Sequence, residues 1–235
     1  MPAPSTIQPI KLYTHLDGPN PVKVALVLNE LSVPFAPQLM DLRGPALKQE
    51  PYLSLNPNGR LPALEDPNTG IVVWESGACI DYLLETYDTE AKLSYTSGPE
   101  KWQQAAWKFF QVSGQGPYYG QKPWFMFYHP EKNLTSVLDR YTNEIHRVLR
   151  VIDAHLAKTG KPYLVGDKCT ASDLMFISWN HLLTLLLGEE AVKGLEQSVP
   201  RAWAWVQRLE ARDAVVKTYA DVAKFKAELG EPAAH

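Results

Sequence analysis

Cysteine is scarce in this 235-residue chain: Cys79 and Cys169 are its two thiols, far apart and in no CxxC pair. That spacing excludes a disulfide framework and a cysteine zinc site, and it reads as the reduced thiols of a cytoplasmic protein. Positive charge is not in excess either. The 23 Lys and Arg against 26 Asp and Glu leave a formal net charge of −3, which provides no basic stripe for nucleic acid and no polybasic membrane surface. Long hydrophobic runs are missing. The longest, Leu182 to Leu187, is broken by Thr184 and is far too short to span a bilayer. The opening residues MPAPSTIQP lack the basic-then-apolar layout of a signal peptide. His146, His155 and His181 are scattered without metal-ligand spacing, so no metal is expected. GxSxG, P-loop, Rossmann glycine and HExxH patterns are all absent. With 45% hydrophobic residues the chain can build a packed core without staples, as one large domain or two small ones.

The first 90 residues alternate short β-like and helix-like runs. Ile10–Tyr13 reads as a strand. Asn20 stands as an N-cap with Pro21 at the first helical position, followed by Val24, Val27, Leu28 and Leu31 at helical spacing. Pro34–Met40 reads as a second strand, and Ala46–Leu53 as a weak helix interrupted by Pro51. Leu61–Leu64 and Ile71–Trp74 form a hairpin around the turn residues 65–70, and Ser76–Tyr87 forms a helix. The order β-α-β-α-β-β-α suits a small mixed sheet with helices on it.

Polar residues 88–100 read as a linker, after which the pattern is helical throughout. Trp102, Ala105, Ala106, Phe109 and Phe110 make one amphipathic stripe, and Leu134 through Leu156 a longer one. Thr170-Ala171-Ser172-Asp173 has the layout of a capping box, with Asp173 reaching back to the Thr170 amide. Two further helices are expected over 198–212 and 213–228. The resulting boundaries are an α/β domain over 8–90, a linker over 91–100 and an all-helical domain over 101–228.

Pro62 is out of place in the run Leu61-Pro62-Ala63-Leu64, because proline cannot donate to a sheet ladder. An ordinary trans proline at a strand edge is the plain explanation. A proline at a strand start whose preceding bond is cis does something more specific: it turns the Leu61 N–H and C=O outward, open to pairing with an extended peptide. Glu75-Ser76 follows where a strand gives way to a helix. The helix start and the Ser76 hydroxyl can hold a carboxylate, and Glu75 can pair with an ammonium group. Simple helix capping by the same two residues is the competing reading.

The segments Asn56-Pro57-Asn58-Gly59-Arg60-Leu61-Pro62-Ala63-Leu64 and Trp74-Glu75-Ser76-Gly77-Ala78 resemble the glutathione-binding half of cytosolic glutathione transferases. The resemblance runs over nearly the whole chain and includes Gly166, Thr170 and Asp173. Tyr13-Thr14, Gly18-Pro19-Asn20, residues 109–114 and Arg140-Tyr141-Thr142 are similar to the fungal class related to the yeast nitrogen-catabolite regulator. It implies a thioredoxin-like N-terminal domain plus an all-α C-terminal bundle, a homodimer, and glutathione as co-substrate. It further implies a cis Leu61–Pro62 bond, with Leu61 pairing the cysteinyl unit and Glu75 and Ser76 holding the γ-glutamyl end. Lys48 and Arg60 are candidates for the glycyl carboxylate by charge and position.

A glutathione thiol must be deprotonated to attack, and the turn before the first helix offers neither Cys nor Ser. Asn20 matches the asparagine of the fungal class. Its amide can donate to a thiolate but cannot take the proton. Tyr13 and His15 are the neighbouring alternatives. The implied activity is transfer of the thiol to small hydrophobic electrophiles, with glutathione-dependent peroxidase or reductase activity, detoxification or metabolite tailoring as variants. The electrophile pocket is expected where the helical domain faces the first. Tyr118, Tyr119, Trp124 and Phe125 are candidate walls within residues 113–129, a stretch whose glycines and prolines break helix. A glutathione-binding regulator with little turnover is the alternative. The short lead before the first strand, without an Asn-rich extension, argues against it. A glutaredoxin-type oxidoreductase lacks its CxxC.

Overall fold

The computed structural model describes residues 7–16, 18–42 and 44–229. Residues 1–6, on which the signal-peptide reading falls, lie outside that set. The chain divides into two units, one running to Lys92 and resuming at Arg212, the other spanning Leu93–Ala211. The sequence boundaries assigned residues 212–228 to the helical domain, whereas by contact they group with the first unit.

The first unit is built on a four-stranded sheet, β1 (Ile10–Thr14), β2 (Phe35–Leu39), β3 (Ala63–Asp66) and β4 (Ile71–Trp74), in the order β2-β1-β3-β4. Helix α1 (Pro19–Glu30) makes the crossover that leaves β1 and β2 parallel, and the β3–β4 hairpin is antiparallel. Period-2 alternation decides which side chains of β1 meet which layer. Ile10, Leu12 and Thr14 are buried on one face, and Tyr13 lies on the other. There Leu47, Tyr52 and Ala63 form a small second core with Tyr13, Met40, Leu55 and Leu61 packed against it. The weak helix expected over 46–53 is two pieces, a 3₁₀ turn at Pro45–Lys48 and one turn of α2 (Tyr52–Leu55), separated by a cis Glu50–Pro51 bond. Helix α3 (Ser76–Tyr87) has the bounds that its sequence pattern predicts.

Helix α1 is buried at every position from Pro21 to Leu28, because β1, α3 and α12 (Asp213–Leu229) all pack on it. That run includes Lys23, 1% exposed. Burial pushes its ammonium down to about 7, against the opposing pull of Glu75 and Cys79. Helix α12 is docked by its first turns. Arg212 pairs with Glu30, Nη2 to Oε2 at 2.8 Å, and Asn29 Nδ2 donates to Thr218 Oγ1 at 2.8 Å.

The second unit begins with α4 (Gly98–Phe110), a π-helical turn at Gln111–Gln115, α5 (Gly116–Pro123) and a second π-helical turn at Trp124–Tyr128. The glycines and prolines of 113–129 therefore do not break the helix. Pro117 follows the π-helical turn directly, in a helical run that continues without a break. The long α6 (Thr135–Thr159) buries Ile145, Val148, Leu149, Ile152 and Leu156. It is followed by α7 (Ala171–Asn180), three short helices α8 (Leu183–Leu187), α9 (Glu189–Lys193) and α10 (Leu195–Ser198), and α11 (Pro200–Glu210). The α4 stripe faces the opposite way from a core stripe. Trp102 and Phe109 are 71% and 70% exposed, while Gln104 is buried.

Both halves of the capping box at Thr170 and Asp173 are present. The completely buried Asp173 carboxylate accepts from Thr170 N (2.9 Å), Thr170 Oγ1 (2.9 Å), Leu164 N (2.8 Å) and Trp205 Nε1 (2.9 Å). One side chain thus ties the entry of α7 to the loop before it and to α11. Asp173→Ala strands three buried N–H donors and is expected to destabilise the chain by about 3 kcal/mol or more, read from urea unfolding followed by tryptophan fluorescence. Lys23 gives a pH signature. Between about 7 and the ordinary 10.5 the unfolded chain holds a proton that the folded chain has released, so this group makes stability rise with pH across that window, by up to about 1.4 kcal/mol per pH unit. Lys23→Met is expected to flatten that rise, measured as the difference in unfolding free energy between pH 7 and pH 9.

Candidate functional site

The candidate residues of the first unit come together at one end of its sheet. In the β3–β4 ladder Ala63 faces Trp74, and in the β1–β3 ladder Tyr13 faces Ala63. Both ladders end at Ala63, so His15, Leu61 and Ser76 all lie just past the same end of the sheet. The N-termini of α1 and α3 open at this same end, so two sets of unpaired helix amides and their partial positive charge converge there.

The Leu61–Pro62 bond is cis. Among the described residues nothing hydrogen-bonds the main chain of Leu61. The loop before it is held from within by Asn56, which is 2% exposed. Its side chain accepts from Asn58 N at 3.0 Å and donates to Arg60 O at 2.7 Å, while Tyr52 Oη donates to the same carbonyl at 2.7 Å. Gly59 adopts φ +58°, and a Cβ there would lie 2.4 Å from Leu47 O, so the turn requires glycine. Lys48 Nζ donates to Asn58 O at 2.9 Å, leaving two of its donors for other groups. The Arg60 side chain is exposed.

Glu75 is exposed and holds φ +70°, ψ 120°, turning β4 into α3 within one residue. Its carbonyl accepts from Cys79 N at 2.8 Å and starts the helix. Ser76 is 5% exposed, and its hydroxyl makes no hydrogen bond among the described residues. The pair is therefore arranged as a charged side chain outside and a hydroxyl with the first helix amides inside.

Asn20 is not the N-cap that its sequence position suggests. Gly18 caps α1, Pro19 is the first helical residue and Asn20 the second. Its side-chain amide has no partner among the described residues, which leaves it available to a ligand at this end of the sheet. Tyr13 is set apart from this group. It points into the second core, stacked edge-on against Tyr52 at 5.5 Å, and its hydroxyl donates to Glu65 Oε2 at 3.3 Å. Burial, followed by the Glu65 charge, holds its pKa above the ordinary phenol value, the opposite of an activating group.

Of the aromatic candidates in the helical unit, Tyr119 is core. It is 0% exposed, packs against Trp179, and reaches Ile145 O with its hydroxyl at 3.5 Å. Tyr118 and Phe125 are half-buried and both pack on Tyr141, and Trp124 is exposed. Two residues of weight escaped the sequence reading. Asn56 is signalled by the turn string Asn-Pro-Asn-Gly. Lys23 is signalled by being the one charge inside the otherwise apolar run from Pro21 to Leu28. Among the described residues, no group of three or more His, Cys, Asp or Glu is placed to hold a metal ion, and no helix is long and apolar enough to cross a membrane.

Comparisons with known proteins identify the family. The family model for the glutathione S-transferase N-terminal domain matches residues 8–85, and that for the glutathione S-transferase C-terminal domain matches residues 117–213. The chain is 43% identical over 225 residues to the glutathione S-transferase-like protein gedE of Aspergillus terreus, covering 93% of this chain and 97% of gedE. It is 44% identical over 225 residues to glutathione S-transferase 2 of Schizosaccharomyces pombe, covering 92% and 96%. Among solved structures, the glutathione transferase URE2P6 of Phanerochaete chrysosporium, in complex with oxidized glutathione, superposes with a TM-score of 0.86. It shares 42% identity over 93% of this chain and 98% of its own. With both halves of one family's model matched in order, and relatives aligned almost end to end, the chain belongs to the glutathione S-transferase family.

Proposed function

We propose that this chain binds glutathione at the sheet end described above and transfers its thiol to small hydrophobic electrophiles. The observation that carries the reading is the main chain of Leu61, which precedes a cis proline and makes no hydrogen bond among the described residues. In this reading an extended γ-linked tripeptide adds to Leu61 as a strand would, its cysteinyl N–H and C=O exchanging hydrogen bonds with the main chain. The γ-glutamyl carboxylate sits on the Ser76 hydroxyl and the first amides of α3, and its ammonium pairs with Glu75. Lys48 and Arg60 reach the glycyl carboxylate. The Asn20 amide donates to the sulfur, beside the N-terminal amides of α1. The thiol proton leaves to solvent, because an amide cannot take it. Tyr118, Trp124 and Phe125 remain the aromatic candidates for contact with the electrophile.

A hydrogen bond to a charged acceptor contributes roughly 1.5–3 kcal/mol, equivalent to about 1–2 pKa units. Asn20→Ala is therefore expected to raise the ionisation pH of bound glutathione by about 1–2 units, seen in the thiolate absorbance of the complex, and to slow conjugation of an aryl halide about tenfold or more below pH 7. An unchanged ionisation curve removes Asn20 from the mechanism. Glutathione capture without turnover across aryl halides, isothiocyanates and peroxides would assign the chain to the regulatory, ligand-binding alternative.

We infer also that the chain works as a homodimer, with a second copy covering the outer face of α4. The support is the exposure of Trp102 and Phe109, two large apolar side chains one above the other on that helix. Trp102→Glu with Phe109→Glu is expected to halve the mass seen by sedimentation, with the circular dichroism of the fold retained.

A further inference from the structure

The second unit holds a group of cations that its own carboxylates do not match. Lys122, in the last turn of α5, is 7% exposed. Its Nζ donates to Thr142 Oγ1 of α6 at 2.6 Å. Among the described residues that is its one hydrogen bond, and it makes no ion pair. Thr142 spends its own proton on Leu138 O at 2.8 Å. An ammonium carries three donors, so two remain for another group. A lysine this buried normally has an opposite charge beside it, because an unpaired charge is expensive away from water.

Thr142, His146 and Arg150 recur at four-residue spacing and so share one face of α6. Side chains on a helix lean toward its N-terminus, which brings the Arg150 head back toward His146. His146 is half-buried and Arg150 exposed, and among the described residues neither makes a hydrogen bond or an ion pair. Burial, then the charges of Arg150 and Lys122, hold the His146 imidazole below its ordinary pKa. Both cations are thus close enough to act on one ring. The acid nearby is Asp139, on the same face of α6. It attracts Lys122 without pairing with it, and that pull is smaller than the burial that lowers the ammonium pKa.

We propose that Lys122, Thr142, His146 and Arg150 form an anion site that takes a phosphate group between α5 and α6. Lys122 supplies the point charge and Arg150 the planar fork that phosphate recognition uses, with the His146 ring N–H between them. Two full charges favour a dianion over chloride or a monocarboxylate. The exposed Arg150 opens the site to solvent, so free phosphate and a small phosphate monoester are its two sources. No residue assigned above to glutathione takes part.

The test follows the ring resonances of His146 in the whole chain by NMR, assigned with His146→Gln, over about pH 5 to 8. Saturating S-hexylglutathione is present throughout, to keep anions off the helix starts of the first unit. Sulfate is the first probe, because it stays a dianion over that range, and sodium chloride at matched ionic strength is the reference. Sulfate is expected to raise the His146 pKa by about one unit, equal to about tenfold tighter binding to the imidazolium form. The expected dissociation constant is on the order of 1 mM. Lys122→Met and Arg150→Gln should each weaken sulfate about fivefold or more. Lys158→Gln, which removes a charge at the far end of α6, should leave binding unchanged. Inorganic phosphate and glycerol 3-phosphate are then compared near neutral pH. Equal or tighter binding of the ester assigns the site to a phosphorylated metabolite, and weaker binding assigns it to the free ion. A His146 pKa that does not move, or that moves as far in chloride, overturns the proposal. So does sulfate binding that survives Lys122→Met combined with Arg150→Gln, or a loss as large in Lys158→Gln. Sulfate binding with neither phosphate bound would refute the phosphate assignment. Should Lys122→Met fail to fold, Arg150→Gln at its exposed position carries the same comparison.

Discussion

The first unit is organised around a stretch of main chain that it does not use. Two residues before β3 begins, the Leu61 N–H and C=O sit at the end of a sheet with no hydrogen-bond partner among the described residues. Buried or half-buried backbone groups are nearly always paired, because each unpaired one costs free energy comparable to a lost hydrogen bond. A fold that keeps one open must fix it firmly, or the chain would relax and close it. Asn56 supplies that rigidity. Its side chain bonds forward to Asn58 and Arg60, and Tyr52 donates to Arg60 as well. The residue preceding Leu61 is thus held by two donors on one carbonyl, and Leu61 is anchored in the second core beside Tyr13.

Glu75 extends the same logic to the neighbouring strand. A non-glycine residue at φ +70° carries strain of order 1–3 kcal/mol, tolerated where the surroundings over-determine it. Here it lets β4 turn into α3 without an intervening loop, so the first amides of α3 open directly beside β3. The local field is then set by three contributions: the N-terminal ends of α1 and α3, which favour anions, and the buried Lys23 one turn beyond Asn20. Burial weakens the last of these, so Lys23 acts as a titrating group rather than a fixed cation.

Much of this was legible in the residues. The strand–helix alternation, the bounds of α3 and the capping box follow from local chemistry that tertiary contacts do not override. The misreadings have common physical causes. Proline at position 19 and proline at 21 both fit the first turn of a helix, and the α1 cap moved from Asn20 to Gly18 because the earlier one wins. The glycines and prolines of 113–129 have the chemistry of breakers, but Gly114 falls in a π-helical turn and Gly116, Pro117, Gly120 and Pro123 are all accommodated within α5. Helix α12 has an ordinary amphipathic pattern, and nothing local says that Glu30, 182 residues away, holds its start. Tyr119 and its neighbour Tyr118 are indistinguishable in sequence, yet one is core and the other half-exposed, because a helix separates consecutive residues by about 100°.

Helix α4 shows why an amphipathic stripe does not by itself reveal the core. Periodicity reports that two faces differ, and the usual assumption is that the apolar one is inside. In α4 the buried side chain is an amide, Gln104, beside Trp107 and Phe110, which pack against Phe176 of α7. Gln104 Oε1 accepts from Tyr95 N at 2.9 Å and its carbonyl accepts from Ser172 Oγ at 3.0 Å. Beyond the helix end, Gln111 Nε2 donates to Gln115 Oε1 at 3.0 Å, and Gln115 Nε2 donates to Asn180 Oδ1 at 2.9 Å. Such a chain of amides demands partners in one register, and the buried Asn180 Nδ2, which finds none among the described residues, marks its incomplete end. It therefore specifies how α4 and α7 meet more sharply than interchangeable aliphatic side chains would. The π-helical turn at Gln111–Gln115 lies at this junction, and there Gln115 Nε2 also donates to Phe176 O of α7 at 3.2 Å.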